Sequence, residues 1–214
     1  IQMSRVDGKV ALVTGGGARI GRATCQMLAS AGAQVVVSGR NLSSVEETAK
    51  RIVDSGGEAV AVKLDVTCEE DWQKAMDLTL VRFKKLNVLV NNAGIYTGEQ
   101  CEEISLTNWR NVLGINLDGT FLGIRTAINA MKDNKEANSI INISSIAGLV
   151  PYLDVAYCSA KAGVKMLAKC AALECRKKGY DIRVNTIFPG VIKGGMAKEI
   201  KETEEYQQSC LDYY

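Results

Sequence analysis

The chain contains no histidine. No imidazole is available for proton transfer or metal binding, so any acid/base chemistry must use other groups. It holds only two prolines, and no Pro/Gly-rich linker separates one half from the other. No run of about 18 apolar residues occurs, which argues against a membrane-spanning helix. Charge of one sign is not in excess either: Lys and Arg number 26 and Asp and Glu 24, interspersed along the chain. There is no basic face for nucleic acid, and the charges read as solvated helix faces. The seven cysteines are odd in number and form no C-x-x-C pair. They support neither a disulfide framework nor a zinc site, and no metal is expected. The opening segment "IQMSRVDGKV" has no signal-peptide core, so a cytoplasmic location is expected.

What is present is a regular alternation. Short β-branched runs, "VALVT", "QVVVS", "AVAVKL", "NVLVN", "SIINIS" and "RVNTIF", predict six strands. Between them, amphipathic stretches predict helices at about 19–31, 43–55, 68–84, 106–132 and 155–178. Ser43 with Glu46 and Thr67 with Glu70 read as capping signals. Near-continuous apolar strands separated by helices mean a parallel sheet covered on both faces. This is the doubly wound, Rossmann-like α/β architecture, here as a single domain over 1–214 with its ligand site at the carboxyl ends of the strands.

Several motifs fall at that edge. "TGGGARIG", Thr14 to Gly21, follows the first strand and opens a helix. Glycines there let the backbone turn sharply and approach a pyrophosphate, while the helix N-terminus attracts its charge. About 20 residues on, where an NAD site places an acid, the chain has "SGRN", Ser38 to Asn41. A carboxylate would repel a 2′-phosphate whereas Arg40 can pair with it, which favours NADP(H) and leaves NAD(H) as the alternative. Tyr157 and Lys161 stand four apart, on one helix face. A nearby ammonium favours phenolate, and the tyrosine could then do the work of an imidazole. Ser144 and Ser145 end the fifth strand. Consecutive strand residues face opposite ways, so only one hydroxyl points into the cleft. Asn116 lies within an apolar helical stretch, the mark of a helix irregularity or a buried hydrogen-bond partner.

Taken in order, "TGGGARIG", "NNAG", Asn116, "ISSIAG", "YCSAK" and "FPGVI" resemble the short-chain dehydrogenase/reductase superfamily, from Asp7 to about Met196. The resemblance implies Tyr157 as proton donor or acceptor and Lys161 as the group that lowers its pKa and holds the nicotinamide ribose. Ser145, in preference to Ser144, would bind the substrate oxygen, and Asn116 would hold a water in the proton path. It implies cofactor contacts from Gly15, Gly17, Arg19, Ile20, Gly21, Arg40, Asn41, Asp65, Val66, Asn92, Ala93, Gly94, Tyr157, Lys161, Pro189, Gly190 and Ile192.

Three departures stand out. Arg19 occupies the place of the family's second glycine, so its side chain must turn aside or lie along the phosphates; pteridine reductases share this arginine. Gly194 replaces the threonine that anchors the carboxamide. The chain ends at "CLDYY", without the last helix and strand expected of the fold. The implied reaction is hydride transfer between a nicotinamide and a carbonyl or secondary alcohol. An NAD-dependent alcohol or hydroxysteroid dehydrogenase and a non-catalytic nucleotide-binding scaffold are the alternatives. A homodimer or homotetramer built on the two long helices is also implied. Tyr96, Tyr152, Leu153 and Met196 are expected to line the substrate pocket, with a lean toward apolar substrates.

Overall fold

The computed structural model describes residues 6–192; Gly194 and Met196 lie outside them. Six strands form one sheet: β1 (Val10–Thr14), β2 (Gln34–Gly39), β3 (Glu58–Lys63), β4 (Val88–Asn91), β5 (Asn138–Ile143) and β6 (Ile182–Ile187). Their order is β3-β2-β1-β4-β5-β6, and every pairing is parallel. The strand order reverses between β1 and β4, which opens a crevice at their carboxyl ends.

Helices cover both faces because the strands bury both. In β1, Val10 and Leu12 pack with α3 (Glu69–Phe83), α5 (Gly119–Met131) and α6 (Val155–Lys178) through Trp72, Leu122, Ala127 and Ala171. Ala11 and Val13 face the other way, toward α1 (Arg19–Ser30) and α2 (Leu42–Asp54), and meet Cys25, Val45 and Ile52. These four β1 side chains are fully buried. At about 25 cal/mol per Å² of apolar surface, this two-sided burial is the main favourable term holding the layers together.

Two details differ from the sequence expectation. Neither capping box forms. Asn41, not Ser43, caps α2, its side chain accepting from the Ser44 N–H at 3.2 Å. Thr67 is instead held by the Asp65 carboxylate, which accepts from its N–H at 3.0 Å and its hydroxyl at 2.7 Å. That turn pushes the start of α3 on to Glu69, with Cys68 at the cap position making no side-chain cap bond. The stretch 106–132 is not one regular helix. It runs as α4 (Leu106–Leu113), a wide π turn over Gly114–Asp118, and α5. The π turn contains Asn116, so both meanings of an asparagine in this position hold: an irregular helix and a buried hydrogen-bonding group.

Candidate active site

The first loop is built by backbone conformation. Gly15 has φ +65°, a left-handed geometry that glycine adopts without steric cost. A Cβ on Gly21 would lie 2.1 Å from the Gly15 carbonyl oxygen, so only hydrogen fits where α1 turns against the loop. Arg19 has φ +49°. A non-glycine residue therefore sits in the left-handed region at the place where the resemblance puts a glycine. Arg22 braces the loop from behind, donating to the Gly17 carbonyl at 2.5 Å and to the Thr48 hydroxyl at 3.0 Å.

The end of β4 is fastened to this loop. The Thr14 hydroxyl oxygen accepts from the N–H groups of Asn92 at 2.9 Å and Ala93 at 3.0 Å, and Asn92 Nδ2 donates to the Thr14 carbonyl at 2.8 Å. Between them lies a groove of about 170 Å³ whose walls include Gly15, Arg40, Asp65, Val66, Ala93 and Gly94. Six of the expected cofactor residues thus line one groove. Asn41 is not among the groove walls, and its side-chain oxygen is engaged in capping α2. Ile20 is partly buried in α1. Pro189 is drawn in by its carbonyl, which accepts from the Ile146 N–H at 3.1 Å, while Gly190 and Ile192 are exposed.

On the far side of the groove, Tyr157, Lys161, Ser145 and Asn116 come together. Tyr157 is in the first turn of α6, 8% exposed, and Lys161 one turn on is 3% exposed. The Lys161 ammonium lies 5.4 Å from the centroid of the Tyr157 ring and donates to the Ile143 carbonyl at 2.8 Å. Ser144 is turned away from the cleft, its hydroxyl donating to the Lys161 carbonyl at 2.9 Å, whereas the Ser145 hydroxyl accepts from the Ala147 N–H at 3.2 Å and acts on the Tyr157 phenol, lowering its pKa. Asn116 Nδ2 donates to the carbonyls of Ile95 and Val112, both at 3.0 Å. Its Oδ1 is the one buried side-chain polar atom left without a partner among the described residues. A Cβ on Gly94 would stand 2.6 Å from that oxygen and 3.5 Å from Lys161 Nζ, so these three residues border one small space.

Electrostatics correct one expectation. Lys161 is not what sets the Tyr157 pKa in this state. Burial raises it above its ordinary value of 10.0, the Ser145 hydrogen bond pulls it down, and Asp154 and Cys158 add to the rise. Burial also acts on the lysine, lowering its pKa from 10.5 to about 8. Taking both groups out of water disfavours both charges.

Two further residues belong to the site. Tyr96 meets the Tyr157 ring edge-on, with centroids 5.7 Å apart, and the Tyr152 ring at 6.4 Å; burial pushes its pKa up to about 12. Asp154 caps α6 by accepting from the Tyr157 N–H at 2.8 Å. Sequence reasoning passes over Asp154, although an acid three residues before a helical tyrosine is a recognisable N-cap signal.

The groove fits a dinucleotide on the chain's own features: a close-approach glycine turn at a helix start, a cation at the end of β2, and an unpartnered buried acceptor beside the tyrosine and lysine. Among the described residues no group of three or more potential ligands is placed to hold a metal ion, and no helix is long and apolar enough to cross a membrane.

Comparison with known proteins agrees with this geometry. The short chain dehydrogenase family pattern matches residues 9–205. The chain is 42% identical over 205 residues to the NADP-dependent (R)-specific alcohol dehydrogenase of Lentilactobacillus kefiri, covering 94% of this chain and 80% of that protein. It is 38% identical over 207 residues to the cyclohexanol dehydrogenase of Acinetobacter sp., covering 95% and 81%. The crystal structure of a short-chain type dehydrogenase/reductase from Mycobacterium marinum superposes with a TM-score of 0.85 at 31% identity, covering 88% of this chain and 77% of that one. By family match, sequence identity and fold together, the chain belongs to the short chain dehydrogenase family.

Proposed function

We propose that the chain is an NADP(H)-dependent oxidoreductase that interconverts a secondary alcohol and its carbonyl compound, with Ser145, Tyr157, Lys161 and Asn116 as its acid/base set. The observation that carries this reading is the convergence of these four side chains beside the groove lined by Gly15, Arg40 and Gly94. The L. kefiri relative is named an NADP-dependent alcohol dehydrogenase and the Acinetobacter relative acts on cyclohexanol, which supports the substrate class.

Gly15, Gly21 and the start of α1 would cradle the pyrophosphate. Arg40 would face the adenosine phosphate, and Asp65 and Val66 would flank the adenine. When bound, the nicotinamide supplies or accepts the hydride. The chain's own residues handle the proton. Ser145 donates a hydrogen bond to the substrate oxygen, and Tyr157 gives its phenolic proton to that oxygen in reduction and takes it back in oxidation. The buried ammonium of Lys161 stabilises the phenolate formed in between. A water accepted by Asn116 Oδ1 satisfies that orphaned atom and links Lys161 to solvent. Tyr96 and the exposed Tyr152 and Leu153 give the mouth of the site an apolar wall suited to a ring or alkyl ketone.

Exposed apolar side chains on α5 and α6, Phe121, Met166 and Leu173, support a homodimer or homotetramer built on these helices. Activity is tested with a panel of ketones and secondary alcohols, cyclohexanol and cyclohexanone included, supplied with NADPH or NADP⁺ and with NADH or NAD⁺. Turnover that is lost in Tyr157→Phe while NADPH binding stays within a few-fold supports the mechanism; undiminished turnover in that variant rejects it. Cofactor binding with no turnover across the panel favours a nucleotide-binding scaffold.

A further inference from the structure

Asp154 has no exposed surface, and both of its oxygens are in use. Oδ1 accepts from the Tyr157 N–H at 2.8 Å. Oδ2 accepts from the N–H groups of Thr97 at 2.9 Å and Gly98 at 2.8 Å, and from the Thr97 hydroxyl at 3.3 Å. All four of these donors are neutral. A buried carboxylate is costly unless its lone pairs are filled, and here they are filled from two separate pieces of the chain. One is the first turn of α6, which carries the Tyr157 phenol. The other is the loop after β4, in which Tyr96 directly precedes Thr97 and lays its ring edge-on against that of Tyr157. A bond from the Val155 N–H to the Glu99 carbonyl at 3.4 Å continues the same seam.

Capping alone would not call for an aspartate in this place, because serine, threonine and asparagine cap a helix equally well. Only a carboxylate offers an acceptor to each side at once. We infer that Asp154 is a positioning residue whose carboxylate clamps the Thr97–Gly98 loop to the first turn of α6, fixing the Tyr157 phenol and the Tyr96 ring as two walls of one substrate slot. The inference rests on the reading of Tyr157 as the proton donor. It also gives Asp154 an electrostatic role. The titratable groups facing the phenol are Asp154 and Cys158 beside it, Lys161 one turn on, and Tyr96 from the loop; of these, the carboxylate opposes phenolate formation.

Two substitutions separate the clamp from the cap. Asp154→Ser keeps an N-cap acceptor but is too short to reach Thr97 and Gly98. Asp154→Asn keeps the length but has one acceptor oxygen, so one side of the clamp is lost, and the negative charge with it. The full chain is assayed for alcohol oxidation with cyclohexanol, or with the alcohol that the panel selects, alongside NADPH fluorescence titration and thermal melts. The expected result in both variants is kcat lowered about tenfold or more, as misplacement of a reacting group by a fraction of an ångström implies, with NADPH affinity within twofold of the parent. In Asp154→Asn the acid limb of the oxidation profile also moves to lower pH, a change that lost packing alone would not produce. Should one variant fail to fold, the other decides. A folded variant with parental kcat overturns the clamp whether or not the acid limb moves, and an unmoved limb in Asp154→Asn overturns the electrostatic role. Tyr157→Phe is run in parallel: turnover surviving there defeats the proton-donor reading, whereas an inactive Tyr157→Phe beside unimpaired Asp154 variants defeats the clamp alone.

Discussion

Lys161 Nζ donates to the carbonyl of Ile143 at 2.8 Å, which anchors a buried ammonium to the end of β5 one helical turn from the Tyr157 phenol. This arrangement works against stability. Burial lowers the lysine pKa from 10.5 to about 8, a cost of ~3 kcal/mol when the group is charged. Replacing it with methionine removes that cost but leaves the Ile143 carbonyl without its donor, which returns about 1–2 kcal/mol. Lys161→Met is therefore expected to stabilise the cofactor-free protein by about 1–2 kcal/mol near neutral pH while abolishing turnover. The folded pKa lies below the unfolded one, so the unfolded state binds more protons between about pH 8 and 10.5, and the parent gains stability as pH rises through that window. The advantage of the variant should be full below pH 8 and shrink above it. Urea melts near neutrality and in the alkaline window check this.

Tyr157 is held above its ordinary pKa, chiefly by burial, so it remains a phenol at neutral pH. Reduction, which needs the proton, is expected to be level from about pH 6 to about pH 8. Oxidation needs phenolate and is expected to climb with pH through the same range. Initial rates in both directions across a pH series test this; an oxidation rate that does not rise would mean that the phenol does not carry the proton.

Arg40 lines the groove at the end of β2, where a carboxylate would serve NAD. Arg40→Asp is expected to weaken NADPH binding by about 30-fold or more, through loss of a charge-assisted pair and added repulsion, and to improve NADH binding. Fluorescence titration with both cofactors reads the change. Equal losses for the two would remove Arg40 from the phosphate site.

Arg19 holds φ +49°, a conformation that costs a side-chain-bearing residue about 1–2 kcal/mol. Arg19→Gly relieves this at an entropic cost of about 0.5–1 kcal/mol, so its melting temperature is expected to equal or exceed the parent's. If the Arg19 cation pairs with the cofactor phosphates, NADPH affinity is expected to fall about fivefold in this variant. Parental affinity in the glycine variant would show that the Arg19 side chain makes no contact with the cofactor.

Continuous β-branched runs such as "QVVVS" set between amphipathic stretches of helical period make most of the fold legible. All six strands lie where the sequence puts them. A box pattern names residue types and not backbone geometry, so it misses these two turns, where Asn41 accepts from the Ser44 N–H and Asp65 from the Thr67 N–H. Strand alternation leaves Ser144 and Ser145 equivalent and the family resemblance chooses Ser145; the physical reason becomes visible in α6, whose Lys161 carbonyl receives the Ser144 hydroxyl. The direction of the Tyr157 pKa was illegible for a related reason. Spacing reports that Lys161 is near, but burial, which decides the sign, is a property of the packed fold. Asp154 escaped because its second partner is 57 residues away in sequence.

The wide turn over Gly114–Asp118 puts α4 and α5 out of phase with each other. One helix axis thereby serves two clients: Val112 before the turn packs in the cluster containing Tyr157, while Leu122 and Ala127 after it pack against the sheet. A regular α-helix spanning the same length would rotate one half by about 100° per residue of slippage, and either the tyrosine would lose its neighbour or the core its filling. The extra backbone slack at this point therefore lets one helical stretch fill the core on one side and pack beside Tyr157 on the other.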